Sequence, residues 1–373
     1  MVGTKIINAL LLGPLCLWLS FAAATGATAG APAERSAEVA EDSLKLQLAV
    51  VAPRDDDHLA WAAVGRLVRH AADYGVEVAV QPASRTVLPG SLPDLFLMPV
   101  RSLATQVPEL EVLELPFLYS SLEAVHEAVD GALGTALETR ARERGWEILA
   151  YWDEGMHVLS GLKRYDRVRN LRIREFLLTR PDPVAERQFH HWRAYPRRIN
   201  PRDREAVLRE CLIASRAATL QELVREELFR AHLAVSLSRH RYEGWVVVSP
   251  HDQWVAVDEQ ARRGLRAALR ETTAWQREDA RRREEAALVR LQEAGMSIFE
   301  VDDAERRAFR GALPNPAELL SPVLDREERE AIVALASVGT AGVVPPEGGP
   351  AAADARRDPA PGAVARQGHQ QAR

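Results

Sequence analysis

Few side chains in this sequence stand at spacings that chemistry would use. Leu171 and Ile173 alternate with Arg172 and Arg174, so on a strand the two arginines share one face. A guanidinium held on a strand presents a planar fork that matches a carboxylate through two hydrogen bonds. A solvated arginine fits the same pattern, and arginine is the background cation here. Lys5, Lys45 and Lys163 are the only lysines among 48 basic residues. His190 and His191 are adjacent, so they face opposite ways on a strand or about 100° apart on a helix. No third ligand follows at a fixed spacing, and no metal is expected. Trp192, Trp245 and Trp254 are large enough to stack on a ligand or to fill a core. Cys211 has no activating motif around it and reads as buried and inert. There is no Gly-x-Ser-x-Gly elbow and no metal set, so neither an enzyme nor a cofactor is expected.

The elements that would position these residues alternate. Residues 46–53 read as a buried strand. Residues 58–75 read as a helix with Leu59, Ala62, Val64, Leu67, Val68 and Ala71 on one stripe, capped by Asp57. Residues 76–80, 94–100 and 112–116 read as strands, 122–144 as one long helix, and 147–152 as a further strand. Short strands are then expected at 157–162, 171–176, 233–235 and 245–249. Residues 258–294 lack breakers and predict one helix of about 55 Å at 1.5 Å per residue, with Asp258 as its cap and Gly295 as its stop. A helix of that length exceeds one lobe. The β/α alternation predicts an α/β fold with helices on both faces of an open sheet.

The chain has 373 residues and a net charge of −5. Nucleic acid is not an expected partner, because no basic excess exists to neutralise phosphates. Residues 1–29 carry Lys5, then an apolar run, then Ala27-Thr28-Ala29, the pattern of an export signal cleaved near Ala29. The same run is near the length of a membrane anchor. Cleavage would leave Cys211 as the one cysteine, with no internal disulfide to form. Residues 30–43 read as a flexible lead, and 339–373, rich in Ala, Gly, Pro and Arg, as a disordered tail.

Leu113-Glu-Leu-Pro-Phe-Leu-Tyr119, followed by a helix carrying Asp130-Gly131, resembles the solute receptors of tripartite ATP-independent periplasmic (TRAP) transporters. The likeness continues through Tyr151-Trp-Asp-Glu-Gly155, Asn170-Leu-Arg-Ile-Arg174, residues 189–196 and 242–254, and the long helix. It covers about residues 45–312. The resemblance implies a two-lobed periplasmic solute-binding fold closing on a small organic acid, with a long helix spanning both lobes. It implies lobe I at 44–154 with 244–284, and lobe II at 155–243 with 285–338. The partner it implies is an integral-membrane TRAP permease, and the location is the periplasm.

The resemblance also maps a site. Arg174 falls on the family's most constant carboxylate contact, and His58 near a residue at the cleft edge. Where the family carries a second arginine, this chain has Gly155-Met156-His157. The family's Asp-Gly-x-Glu-Asn stretch falls at 214–218, where Arg216 is the charged residue. Arg193 replaces a glycine. Arg174, His157, His58, Trp192 and Arg216 are therefore the candidate ligand contacts, with His157 expected to strengthen binding as pH falls toward 6. The alternative is the same fold with a lost or altered pocket, serving as a protein-binding or sensory module.

Overall fold

The computed structural model describes residues 44–52, 58–83, 93–199 and 215–338. Residues 1–43 and 339–373, where the export signal, the lead and the tail are expected, lie outside the described residues, as do Asp57 and Cys211.

Two strands organise everything else. β4 (Trp146–Gly161) and β8 (Ala234–Pro250) pair antiparallel along their whole length, from Trp146 opposite Pro250 to Gly161 opposite Ala234. Beside one end of this pair lie β3 (Leu95–Pro99), β1 (Leu44–Val50) and β2 (Val76–Pro82). β3 runs antiparallel to β8, and β1 runs parallel to both β2 and β3. Beside the other end lie β7 (Ser215–Thr219), β5 (Glu175–Leu178) and β6 (Tyr195–Arg198) on the β4 side, and β9 (Ser297–Glu300) on the β8 side. The hydrogen-bonded order β2-β1-β3-β8-β4-β7-β5-β6 is thus continuous, yet it consists of two half-sheets sharing the β4–β8 ribbon.

Each half has its own core on both faces. Alternation along β8 sends Val246 and Val248 to one face of the first half, and Trp245 and Val247 to the other. The first face packs on α3 (Leu122–Val129) and α4 (Ala132–Glu143). The second packs on α1 (Leu59–Asp73) and the N-terminal part of α8 (Glu259–Glu293). In the second half, one core lies between β7, β8, α6 (Leu220–Arg225) and the C-terminal part of α8, with Ala287 and Leu291 buried. The other holds α5 (Pro183–His191) and Phe309 of α9 (Asp303–Gly311). The 35-residue α8, about 52 Å long, therefore feeds both halves. Asp258 caps it by accepting from the amides of Gln260 and Ala261, and Gly295 ends it at φ 89°. The remaining helices are α2 (Val100–Leu103), α7 (His251–Ala256) and α10 (Arg326–Val338).

Several sequence expectations are corrected. Residues 112–116 are not a strand. Pro108 opens a 3-10 helix over Pro108–Glu114, its fixed φ suiting a first helical turn. The strands expected at 147–152 and 157–162 are one strand, β4, and those at 233–235 and 245–249 are one strand, β8. The cap of α1 is His58, whose ring nitrogen accepts from the Ala60 amide at 3.1 Å. The helix expected over 122–144 is two helices. A Cβ on Gly131 would lie 2.9 Å from the Glu127 carbonyl, and one on Gly134 would lie 1.8 Å from that of Val129. The chain bends sharply there because glycine lets α4 approach α3 that closely.

Phe117 explains the Leu-Pro-Phe segment. Leu115, Leu118 and Tyr119 belong to a core of the first half, but Phe117 has φ 56° and packs in the second, against Phe309 and Trp192. Its amide donates to the His240 carbonyl at 2.6 Å. Gly134→Ala should cost about 1–3 kcal/mol, the usual range for overpacking a tight contact. A urea midpoint equal to that of the unsubstituted protein would contradict the close approach of α3 and α4.

Candidate functional site

A half-open cavity lies where α2 of the first half meets the second half. Its interior volume is about 30 Å³, on the scale of one or two waters. Arg101 enters from α2, His157 from β4, and Arg180 and Asp182 from the loop between β5 and α5. Gln188 comes from α5, Arg216 from β7, Glu222 from α6, and His240, Arg241 and Glu243 from β8. The wall is therefore dominated by charge.

The local sequence explains this placement. Asp182 precedes Pro183 and accepts from the Ala185 amide at 2.9 Å, so a capped helix starts at the cavity edge. β4 and β8 shift register between Asp153 and Gly155 and again between His157 and Leu159. Such irregularities re-aim side chains within a ladder. His157, Arg241 and Glu243 lie in this irregular stretch.

The carboxylates are shared. Asp182 Oδ2 lies 2.6 Å from Arg241 Nη1 and 3.7 Å from Arg101 Nη1. Glu243 contacts Arg101 and lies 2.6 Å from His157 Nε2. Glu222 Oε1 lies 3.0 Å from Arg216 Nη2 and 3.6 Å from Arg180 Nη2. Arg216 also reaches Glu226 at 3.2 Å. Burial alone would raise the Glu222 pKa, but Arg216 and Arg180 outweigh it and hold the carboxyl at about 2. Burial opposes ionisation of Asp182 as well, and Arg241 and Arg101 reverse the effect and lower its pKa. Arg180 has its pKa lowered by burial and by the nearby Arg101 charge. Its one carboxylate within 4 Å among the described residues is Glu222, which it shares with Arg216.

His157 is neutral in this setting. Burial and the Arg241 charge push its pKa well below the usual histidine range, and the same two causes lower that of His240. The geometry fits one tautomer, with Nε2–H donating to Glu243 and Nδ1 facing Arg241 Nη2 at 3.5 Å. The expected gain in binding from protonation of His157 near pH 6 runs against that direction.

The sequence candidates divide. His157 and Arg216 meet in the cavity wall. Arg174 does not reach it. The segment expected as a strand from 171 is a turn, because Ile173 has φ 57° and lies 73 % exposed, and β5 begins only at Glu175. Arg174 is exposed on that turn. His58 is buried as a helix cap, 4.0 Å from Glu154 and edge-on to Trp245. Trp192 is a core residue, donating from Nε1 to the Phe309 carbonyl at 3.1 Å and packing against Phe189. Arg193, standing where a glycine was expected, adopts φ 58°, so the backbone there keeps the glycine-like conformation. The sequence reading missed Arg101, Arg180, Asp182, Gln188, Arg241 and Glu243. The Asp182-Pro183 helix start was the one local signal that could have located part of this set.

Two half-sheets on a shared ribbon, a helix feeding both, and a charged cavity at their junction define a two-lobed α/β binding protein. The chain belongs to the bacterial extracellular solute-binding protein family 7, whose model matches residues 91–317. It is 24 % identical over 235 residues to the C4-dicarboxylate-binding protein DctB of Bacillus subtilis, covering 62 % of this chain and 67 % of that one. It is 26 % identical over 222 residues to the C4-dicarboxylate-binding periplasmic protein DctP of Rhodobacter capsulatus, covering 59 % and 64 %. The match thus spans about two thirds of each relative. A TRAP periplasmic solute-binding protein from Ochrobactrum anthropi superimposes with TM-score 0.72 at 19 % identity, over 81 % of this chain and 98 % of that one. One from Sulfurospirillum deleyianum, with bound succinate, gives 0.65 at 18 %, over 79 % and 98 %.

Arg216→Met should cost about 3–5 kcal/mol, because it leaves Glu222 charged and buried. Adding Glu222→Leu should recover part of that loss in the same denaturation measurement. Glu222 is held below its unfolded value. Its contribution is complete above about pH 4.5 and is lost as pH falls toward 2, so in the unsubstituted protein the acid limb of stability steepens in that window. A double variant no more stable than Arg216→Met would contradict the pairing.

Proposed function

We propose that this protein is an exported receptor that captures a small organic acid between two lobes and delivers it to a TRAP-type membrane permease, without catalysing a reaction on it. The lobes are taken as 44–154 with 244–284 and 155–243 with 285–338, and the ligand cavity as the one at their junction. Supporting this, the similar protein from Sulfurospirillum deleyianum holds succinate, and one from Pseudomonas aeruginosa holds L-malate.

The observation that carries the reading is Arg180. Its guanidinium lines the cavity, and its nearest carboxylate among the described residues is 3.6 Å away and already bonded to Arg216. Its side chain is 38 % exposed, so an incoming anion can reach it. A charge-assisted bond contributes about 1.5–3 kcal/mol, and a guanidinium can make two to one carboxylate. The anchoring role expected of Arg174 passes in this reading to Arg180, with Arg101 closing from the first lobe.

One observation favours the altered-pocket reading. The small cavity is filled by the chain's own acids and bases, which a ligand must displace or complement. Isothermal titration with organic acids separates the two. Arg180→Ala is expected to weaken binding by on the order of 100-fold, and Arg174→Ala to leave it unchanged. Affinity should stay level from pH 8 to 6, since His157 remains neutral throughout. If Arg174→Ala alone abolished binding, or no acid bound, the carboxylate site would be elsewhere or lost. Export through residues 1–29 is part of the same reading, and mass spectrometry of the periplasmic protein should place its N-terminus near Gly30.

A further inference from the structure

We propose that Asp182 and Glu243 are selectivity residues that confine the cavity to monocarboxylates bearing a hydroxyl close to the carboxylate, and exclude dicarboxylates. This rests on the carboxylate-receptor reading above. Four guanidiniums line the cavity, and three carboxylates line it with them. Arg241 is matched by Asp182, Arg101 by Glu243, and Arg216 by Glu222 and by Glu226 just outside. Arg180 is left with a shared partner. The nearby histidines add no positive charge. Behind the wall, Arg225 is matched by Glu154 at 3.0 Å, and Glu114 has its carboxyl pushed by burial toward the neutral form. With Glu226 counted, four guanidiniums already face four carboxylates, so an added carboxylate finds a partner only at Arg180, whose one acid within 4 Å among the described residues is shared. A second carboxylate would meet Asp182 or Glu243 with no cation left to pair with it, in surroundings where like charges repel strongly. The protein itself holds the place that a second carboxylate would fill.

Gln188 specifies what accompanies the single charge. It lies in the same wall, it is 0 % exposed, and neither its Nε2 nor its Oε1 has a hydrogen-bond partner. A fully buried amide lacking both partners is costly unless a ligand supplies them. A hydroxyl both donates and accepts, so one group can satisfy both ends of the amide in turn.

The test is isothermal titration of the purified protein with glycolate, lactate and glycerate, against propionate, malonate and succinate. The hydroxy monocarboxylates should bind at least about tenfold more tightly than either dicarboxylate, and lactate about tenfold more tightly than propionate. Gln188→Leu should shrink the lactate-over-propionate ratio to within about threefold. Asp182→Asn keeps an oxygen for the Ala185 amide, and Glu243→Gln keeps the strand position. Each should shift the succinate-to-lactate ratio toward succinate by about tenfold or more, a change of preference that a merely structural role would not produce. Circular dichroism and melting confirm that each variant is folded, and if Asp182→Asn melts early, Glu243→Gln alone decides. A native preference for succinate or malonate, or ratios unmoved by the folded variants, overturns the inference while leaving a carboxylate receptor intact. Failure of every acid to bind overturns the receptor reading itself.

Discussion

Charge buried at the junction of two lobes is the constraint on which the rest of this structure depends. Isolated ions in an apolar interior are strongly disfavoured, and they persist only when paired and hydrogen-bonded. Here Arg101, Arg216 and Arg241 are ion-paired with carboxylates drawn from separate elements, the α5 cap, the α6 helix and the middle of β8, although each keeps a buried guanidinium nitrogen without a hydrogen-bond partner. None of these pairs is local in sequence except Arg216 with Glu222. The long β4–β8 ribbon, the bent register at Asp153–Gly155 and the Asp182-Pro183 helix start must all be in place before the charges match. The ribbon is thus a scaffold for neutralisation as well as a connection between lobes.

That same feature decided what could be read from sequence. α8 was legible because cap, length and stop are all local, and the observed helix starts at Glu259 and ends at Glu293. β1 and α1 were legible from apolar runs and a single stripe. β4 and β8 were read in fragments because strand recognition follows apolar alternation, and it failed at Asp153-Glu154 and at Arg239-His240-Arg241, where the strands turn polar and where His240 and Arg241 line the cavity. A local rule broke at the candidate site, as expected where a fold places chemistry inside its core. α3 and α4 merged in the reading because the apolar period runs through Asp130-Gly131, and the bend there is set by a close helix contact that no local pattern reveals.

Arg174 shows how a spacing that fits one local structure can fold as another. The Leu-Arg-Ile-Arg spacing fits a strand, and the resemblance gave it a role. Yet the strand begins at Glu175, after a turn at Ile173 whose φ of 57° a β-branched residue seldom adopts. The turn is secured from outside, since the Ile173 amide donates to the Arg193 carbonyl at 2.9 Å and the Tyr195 amide to that of Arg174 at 2.8 Å. Arg193 is itself in the left-handed region. Two unfavourable backbone conformations held against each other imply that surrounding packing over-determines both. The buried Phe176, Phe189 and Trp192 supply that packing.

Arg101 links the electrostatics to motion. It stands on α2 beside the first half-sheet, yet its partners Asp182 and Glu243 lie at the second-half side of the cavity. Opening the lobes would separate those pairs and hydrate them. In the proposed receptor, the chain's own charges would therefore favour closure before any ligand arrives. A ligand shifts such an equilibrium only by its differential affinity for the closed state. Where internal carboxylates already hold Arg101 and Arg241, a ligand has less closure left to drive and gains less from those two residues. In the proposed receptor Arg180 and Gln188 are then the groups left to hold a ligand, while Asp182 and Glu243 set what is refused.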